Sequence, residues 1–178
     1  MLFDFDLEFV IIKREKLRGR DMTKIAVISD IHGNTTALEA VLTDAQKAEV
    51  DEYWLLGDIL MPGTGRKNIL QTLENLPITL RVLGNWEESL WRACHRQLDE
   101  SRPSHRYLLR QCQYIMEELS IEEIKALQDY PLQVHRQFGD LKLGISHHLP
   151  DKNWGRELIH LGKQEDFDRL RSEEHTSE

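Results

Sequence analysis

Apolar and polar positions follow two periods along this chain, and the points where the period switches mark its elements. Ile25 to Ser29 (IAVIS) is a continuous apolar, β-branched run, as for a strand covered on both faces of a sheet. Asp30 to Asn34 (DIHGN) reads as the turn after it. From Thr35 to Ala48, the apolar residues Ala37, Leu38, Val41, Leu42 and Ala45 recur at helical spacing, with Asn34 in the N-cap position. A second strand, Tyr53 to Leu56, runs into Gly57 and Asp58. The loop MPGTG leads to a helix over about Arg66 to Asn75, and a third strand, Ile78 to Leu83, ends in Gly84 and Asn85.

This order is β-α-β-α-β, with the strand ends spaced at about the ~30 residues of one βαβ unit. It predicts an α/β fold around a mostly parallel sheet. Right-handed crossovers place the three strand ends on one edge, where ligands of open α/β sheets bind. Beyond Trp86 the pattern turns helical to about Asp129, and Ser120 with Glu123 has the form of a capping box. Strands over about Leu132 to Gln137 and Leu141 to Ser146 flank Phe138-Gly139-Asp140 and read as a hairpin. That hairpin delivers Ser146, His147 and His148 to another strand end. No internal repeat or low-complexity segment occurs.

Composition narrows the partners. A formal net charge of -8, with 30% charged and 40% hydrophobic residues, excludes a general binder of nucleic acid or of anionic membrane surfaces. A small phosphorylated substrate stays compatible, because bound cations invert the local field. Cys94 and Cys112 form neither a disulfide framework nor a zinc-ribbon spacing and read as reduced packing residues. No apolar run approaches the ~18 residues needed to span a bilayer. Asp4, Asp6 and Glu8 interrupt the apolar start, which argues against a signal peptide. The expected location is cytoplasmic; nothing in the sequence decides the oligomeric state.

Four polar clusters close four strands: Asp30-x-His32, Gly57-Asp58, Gly84-Asn85 and His147-His148. A binuclear metal site needs hard oxygen donors and imidazoles converging from several loops, with one carboxylate able to bridge ions about 3.5–4 Å apart. Asp30 and His32 lie on one tight turn, Asp58 on the neighbouring strand is placed to bridge, Asn85 offers a neutral oxygen and His147 another nitrogen. Singly, each cluster is ordinary: Asp58 is equally a turn residue, and Asn85 a helix N-cap. Their joint order, each closing an apolar strand, is what points to a shared site.

DIHGN, GDI, GNWE and His147-x-x-Pro150 together resemble the successive motifs of calcineurin-like metallophosphoesterases over about Thr23 to Leu170. The likeness is greatest to the small bacterial branch of phosphodiesterases and diadenosine tetraphosphate hydrolase relatives. The resemblance implies two packed sheets flanked by helices, and two divalent ions, Mn2+ foremost, with Fe, Zn, Ni or Mg as alternatives. It assigns Asp30, His32 and Asp58 to the first ion and Asp58, Asn85 and His147 to the second. His147 is preferred over His148 because the family commonly has His-Gly-x-Pro there. The implied reaction is hydrolysis of a phosphoester or phosphoanhydride by a metal-activated water, on a nucleotide, dinucleoside polyphosphate or phosphodiester. A phosphoprotein phosphatase and a catalytically lapsed metal-binding or regulatory domain are the competing readings.

Two departures stand out. Trp86 occupies a position where many members of the family have a histidine that protonates the leaving group; an indole N–H donates a hydrogen bond but does not give up its proton. This favours leaving groups that need little protonation, or an acid from elsewhere. His148 is one candidate, against the plainer reading of a solvated histidine. Trp86 itself is read as a substrate-stacking or packing residue. The family also ends in a Gly-His-x-His motif, which nothing after Pro150 matches, His160 and His175 included.

Residues 171–178 (RSEEHTSE) match the translation of the start of a common short-read sequencing adapter. The expectation is therefore a domain over residues 22–170 lacking its C-terminal part, incomplete in its second sheet and inactive as a fragment. A polar terminus is the alternative for the tail. Residues 1–21 are expected to be a non-native leader, with an extra edge strand carrying Phe3, Phe5, Leu7 and Phe9 as the competing reading. His95, His105 and His135 lack ligand spacing, and Trp54 and Trp91 read as packing residues. The PGTG loop, with Arg66 or Lys67 nearby, is either a phosphate contact or a simple strand-to-helix turn.

Overall fold

The computed structural model describes residues 8–13, 23–138, 141–149, 151 and 153. The expected adapter segment, most of the expected leader, the turn residues Gly139 and Asp140, and His160 and His175 lie outside them. The elements run β1 (Glu8–Lys13), β2 (Lys24–Ser29), α1 (Thr35–Lys47), β3 (Glu52–Leu55), α2 (Lys67–Glu74), β4 (Ile78–Arg81), α3 (Asn85–Cys94), α4 (Pro103–Met116), α5 (Ile121–Gln128), β5 (Gln133–Phe138) and β6 (Leu141–Ser146).

Strands β2, β3 and β4 pair in parallel, as their βαβ spacing predicts, and β1 adds antiparallel to the outer side of β2. The pairing of Ile28 with Leu55 brings the ends of β2 and β3 level, so the turns after them meet. Strands β5 and β6 form a separate antiparallel hairpin.

The central sheet is covered on both faces, which explains why its strands read as unbroken apolar runs. Ala26, Ile28, Tyr53 and Leu55 face the larger core, together with Leu38 and Ala45 of α1, Ile69 and Leu73 of α2, and Leu90, Ile115 and Ile124 of α3 to α5. The alternate residues Ile25, Trp54 and Leu80, joined by Val82, form a second core on the opposite face, where Val134, Leu143 and Ile145 of the hairpin pack. The architecture is thus two sheets packed together with helices outside the larger one.

The ends of the helices follow local rules. Asn34 Oδ1 accepts the Ala37 N–H at 3.0 Å, the expected N-cap of α1. Ser120 and Glu123 close the expected capping box of α5, each side chain taking the other's backbone N–H. At α3 the cap position falls to Gly84, with Asn85 as the first helical residue. Among the described residues no helix is long and apolar enough to cross a membrane.

Candidate metal centre

Three strand-end turns converge because their backbones interlock. Asp30 N–H donates to the Gly57 carbonyl at 3.3 Å, His32 N–H to Asp58 at 2.8 Å, and Gly33 N–H to Ile59 at 2.8 Å. The turns after β2 and β3 are thereby zipped together. Asp30, His32 and Asp58 all adopt positive φ, at 58°, 49° and 56°. Such a backbone costs a non-glycine residue on the order of 1 kcal/mol. The third turn docks against the second: a Cβ on Gly57 would lie 2.4 Å from Gly84 N, and one on Gly84 would lie 2.2 Å from Asp58 Oδ1. Only glycine permits that approach.

The side chains so placed form one cluster. Donor atoms of Asp30, His32 and Asp58 all lie within 4.8 Å of one another. His32 Nε2 stands 3.3 Å from Asp30 Oδ1 and 3.8 Å from Asp58 Oδ2. From the other side, His147 Nε2 reaches the same Asp58 Oδ2 at 3.2 Å and Asn85 Oδ1 at 3.0 Å. One carboxylate oxygen therefore faces two imidazoles, each accompanied by a further oxygen donor. Asp58 Oδ1 is taken by the Trp86 N–H at 3.0 Å, which leaves Oδ2 free to be shared.

Both imidazoles are oriented by backbone carbonyls. His32 Nδ1 bonds to the Met61 carbonyl, and His147 Nδ1 to that of Leu56 at 2.6 Å. An Nδ1–H donor fixes the tautomer and leaves each Nε2 for the cluster, the arrangement that metal-ligating histidines use. Met61, at the head of the MPGTG loop, thus braces His32 through its carbonyl. A Cβ on Gly63 would lie 1.9 Å from the His32 carbonyl oxygen. Arg66 and Lys67 turn away: Arg66 pairs with Glu117 and Glu118 over the Tyr114 ring, and Lys67 pairs with Glu123.

Electrostatics follow from the crowding. Burial lowers the His147 imidazole, but the Asp58 carboxylate and the Leu56 carbonyl outweigh it and raise the group to about 9. His32 is likewise raised: burial works against it, and Asp30, Met61 and Asp58 prevail. Burial alone would raise Asp30, yet the bonds to His32 and Ser29 and the charge of His147 hold it below the usual carboxylate range. Without a cation, the protons on the two rings neutralise the carboxylates. Carboxylate, imidazole and amide oxygens suit divalent ions of the Mn, Fe, Zn and Ni kind, so this donor set fits the group the sequence implied.

Five of the seven sequence-predicted residues come together here: Asp30, His32, Asp58, Asn85 and His147. Trp86 lies beside them, its ring edge-on to His32 with centroids 6.0 Å apart at 85°. His148 is exposed, and its carbonyl accepts from Ser146 Oγ at 3.3 Å. Of the other histidines, His95 packs against Trp91, His105 accepts the Asp99 N–H, and His135 is exposed.

The sequence reading gave no role to Glu87. Its carboxylate, 3% exposed, accepts the N–H of Asp58 at 2.8 Å, of Ile59 at 2.8 Å and of Gly84 at 3.0 Å. Burial, and then the neighbouring Asp58 charge, push its carboxyl upward against the pull of these amides. The local signal was Glu three residues after a cap; its distant partners had none. Asn153 was also missed: buried, it donates to the Leu83 carbonyl at 3.0 Å and pins the segment after β6 to the end of β4.

A parallel sheet whose strand ends gather carboxylates and imidazoles around one shared oxygen has the organisation of a metal-dependent hydrolase. Residues 23–177 match the calcineurin-like phosphoesterase superfamily domain, and the chain belongs to that superfamily, whose members hydrolyse phosphoesters with divalent metals. An uncharacterized protein of Methanocaldococcus jannaschii is 41% identical over 61 residues, 34% of this chain and 25% of that protein. A metallophosphoesterase from Sphaerobacter thermophilus is 33% identical over 67% of this chain and 45% of its own, with a TM-score of 0.46. A hypothetical protein from Pyrococcus horikoshii shares the fold with a TM-score of 0.63 at 18% identity, over 82% of this chain and 63% of its own. The matched segments thus span between a quarter and somewhat under two thirds of these relatives' lengths.

Proposed function

We propose that the chain carries a binuclear centre that hydrolyses a phosphoester or phosphoanhydride, with Asp30, His32 and Asp58 holding one ion and Asp58, Asn85 and His147 the other. The observation that supports this most is the single oxygen, Asp58 Oδ2, faced by His32 Nε2 on one side and His147 Nε2 on the other. When bound, two divalent ions, with Mn2+ expected, would neutralise phosphate oxygens and lower the pKa of the attacking water.

The chain's own residues supply positioning. The Trp86 N–H anchors Asp58 by Oδ1 so that Oδ2 alone is shared. The Met61 and Leu56 carbonyls keep the protons of His32 and His147 on Nδ1, away from the reacting side. The Asn85 amide oxygen adds a donor without adding charge. The indole of Trp86 offers an apolar ring beside the centre and no transferable proton. We therefore read the substrate as one whose leaving group departs as a stable anion: a dinucleoside polyphosphate, a nucleotide anhydride or an activated phosphodiester, as for the small bacterial branch. Among the described residues, His148, exposed just after β6, is the candidate for proton donation.

The test is hydrolysis of bis-p-nitrophenyl phosphate with Mn2+, followed by diadenosine tetraphosphate against a phosphopeptide. Preference for the dinucleotide supports the reading, and preference for the phosphopeptide replaces it with a protein phosphatase. Trp86 beside the centre also favours a second reading, a domain that binds metal without turnover. Mn2+ binding without hydrolysis of any of these substrates supports that second reading over the first.

A further inference from the structure

Glu87 sits directly behind the candidate ligands yet is not one of them, and its bonding exceeds what a helix cap requires. A capping glutamate takes one N–H, that of its own N-cap, here Gly84. Glu87 takes two more, from Asp58 and Ile59, which lie 29 and 28 residues earlier in the chain. Oε2 is shared between Asp58 N and Gly84 N, so one oxygen staples the turn after β3 to the start of α3. A Cβ on Gly84 would fall 2.3 Å from that oxygen, which leaves the carboxylate no slack. All three partners donate, so the side chain serves as a pure acceptor. A neutral amide of the same shape turns one of its two ends into a donor facing N–H groups.

We infer that Glu87 is a positioning residue for the two-ion centre: it locks the left-handed turn of Asp58 against Asn85, so that Asp58 Oδ2 is held between His32 and His147. The geometry makes this specific. Asp58 has a φ of 56° and receives only two bonds near its backbone from α3, Glu87 on its N–H and the Trp86 N–H on its Oδ1. The first holds the turn and the second the carboxylate, and both come from consecutive residues of one helical turn. Without Glu87, three buried N–H groups lose their acceptor, and the tie from α3 to the Asp58 backbone is lost.

The inference rests on the metal-centre reading, and the experiment separates the two. Wild type, Glu87→Gln, Glu87→Asp and a distant control, Leu119→Ala in the helical core, are compared in two measurements. Amide hydrogen exchange at Asp58, Ile59 and Gly84 is followed in EDTA, and Mn2+ affinity is read from the EPR signal of the free ion. Glu87→Gln is expected to speed those exchange rates at least about tenfold and to weaken Mn2+ about 10–100-fold, the range for removing a partner that orients a ligand. Leu119→Ala is expected to lower Tm and do neither. Glu87→Asp, which keeps the acceptor charge, is expected to recover part of both effects, and it carries the comparison should Glu87→Gln fail to fold. The inference is overturned if the Glu87 variants lose stability as Leu119→Ala does, with exchange and Mn2+ affinity as in wild type. If the wild type takes up no Mn2+ at millimolar concentration, the metal-centre reading itself falls, and the positioning role with it.

Discussion

His147 Nε2 lies 3.2 Å from Asp58 Oδ2, while the other nitrogen of the ring is held 2.6 Å from the carbonyl of Leu56, two residues before that aspartate. One short stretch of the turn after β3 thus both aims the histidine and receives it, although 91 residues separate Leu56 from His147. The hairpin that carries His147 is fastened to the sheet at this point as well as through its apolar face.

That contact sets the pH response of the metal-free protein. His147 is raised in the folded state to about 9 from an ordinary 6.5, and His32 is raised as well. A raised folded value means that protonation favours the folded form, so the stabilisation is full below pH 6.5 and is lost as pH climbs through about 9. Thermal unfolding in EDTA should show Tm falling by several degrees over that interval, since ~1 kcal/mol moves Tm by about 2–4 °C in a chain of this size. A flat or rising Tm would contradict the assignment of these protons.

With Mn2+ the sign reverses, because the ion must displace the same protons. Affinity should rise with pH across the 6.5 to 9 window, and calorimetry in buffers of different ionisation enthalpy should register proton release on binding. Binding without proton release would place the ion elsewhere.

Asp58→Asn keeps the shape of the shared ligand and removes its charge. Loss of Mn2+ affinity should exceed the ~10–100-fold typical of an outer partner, with uptake of a second ion abolished. Calorimetric titration that still finds two ions per chain would remove Asp58 from the bridging position.

Gly63→Ala tests the buttress under His32. The added methyl would sit 1.9 Å from the His32 carbonyl oxygen and 2.9 Å from Gly33 Cα, both backbone atoms that cannot swing aside. Urea unfolding should show a loss near the upper end of the overpacking range, about 3 kcal/mol, together with weaker Mn2+ binding. A neutral result would mean that the loop yields and does not hold the ring.

Ser120→Ala removes one half of the α5 capping box, remote from the centre. The expected cost is about 1 kcal/mol with Mn2+ affinity unchanged. Altered metal binding here would show that α5 communicates with the cluster.

Much of the architecture was legible because it is written locally. Apolar runs bounded by Asp30, Gly57-Asp58 and Gly84-Asn85 marked β2 to β4 to within a residue or two, and the caps at Asn34 and Ser120 stand where sequence placed them. At β4 the expected strand ran on to Leu83, whereas the paired strand stops at Arg81. Val82 and Leu83 are apolar because they are buried, and burial does not require a strand. The role of the PGTG loop was ambiguous for a similar reason, since its decisive contact is with a carbonyl on another turn.

The sequence alone determined which residue types close which strands, and in what order, because strand period, helix period and turn chemistry depend on near neighbours. Tertiary structure alone decided that Asp58 Oδ2 faces both histidines, that the Met61 and Leu56 carbonyls orient their rings, and that Glu87 staples one turn to another. These relations join residues some 26 to 91 positions apart, and they depend on left-handed turns and glycine contacts that exist only once the strands are side by side.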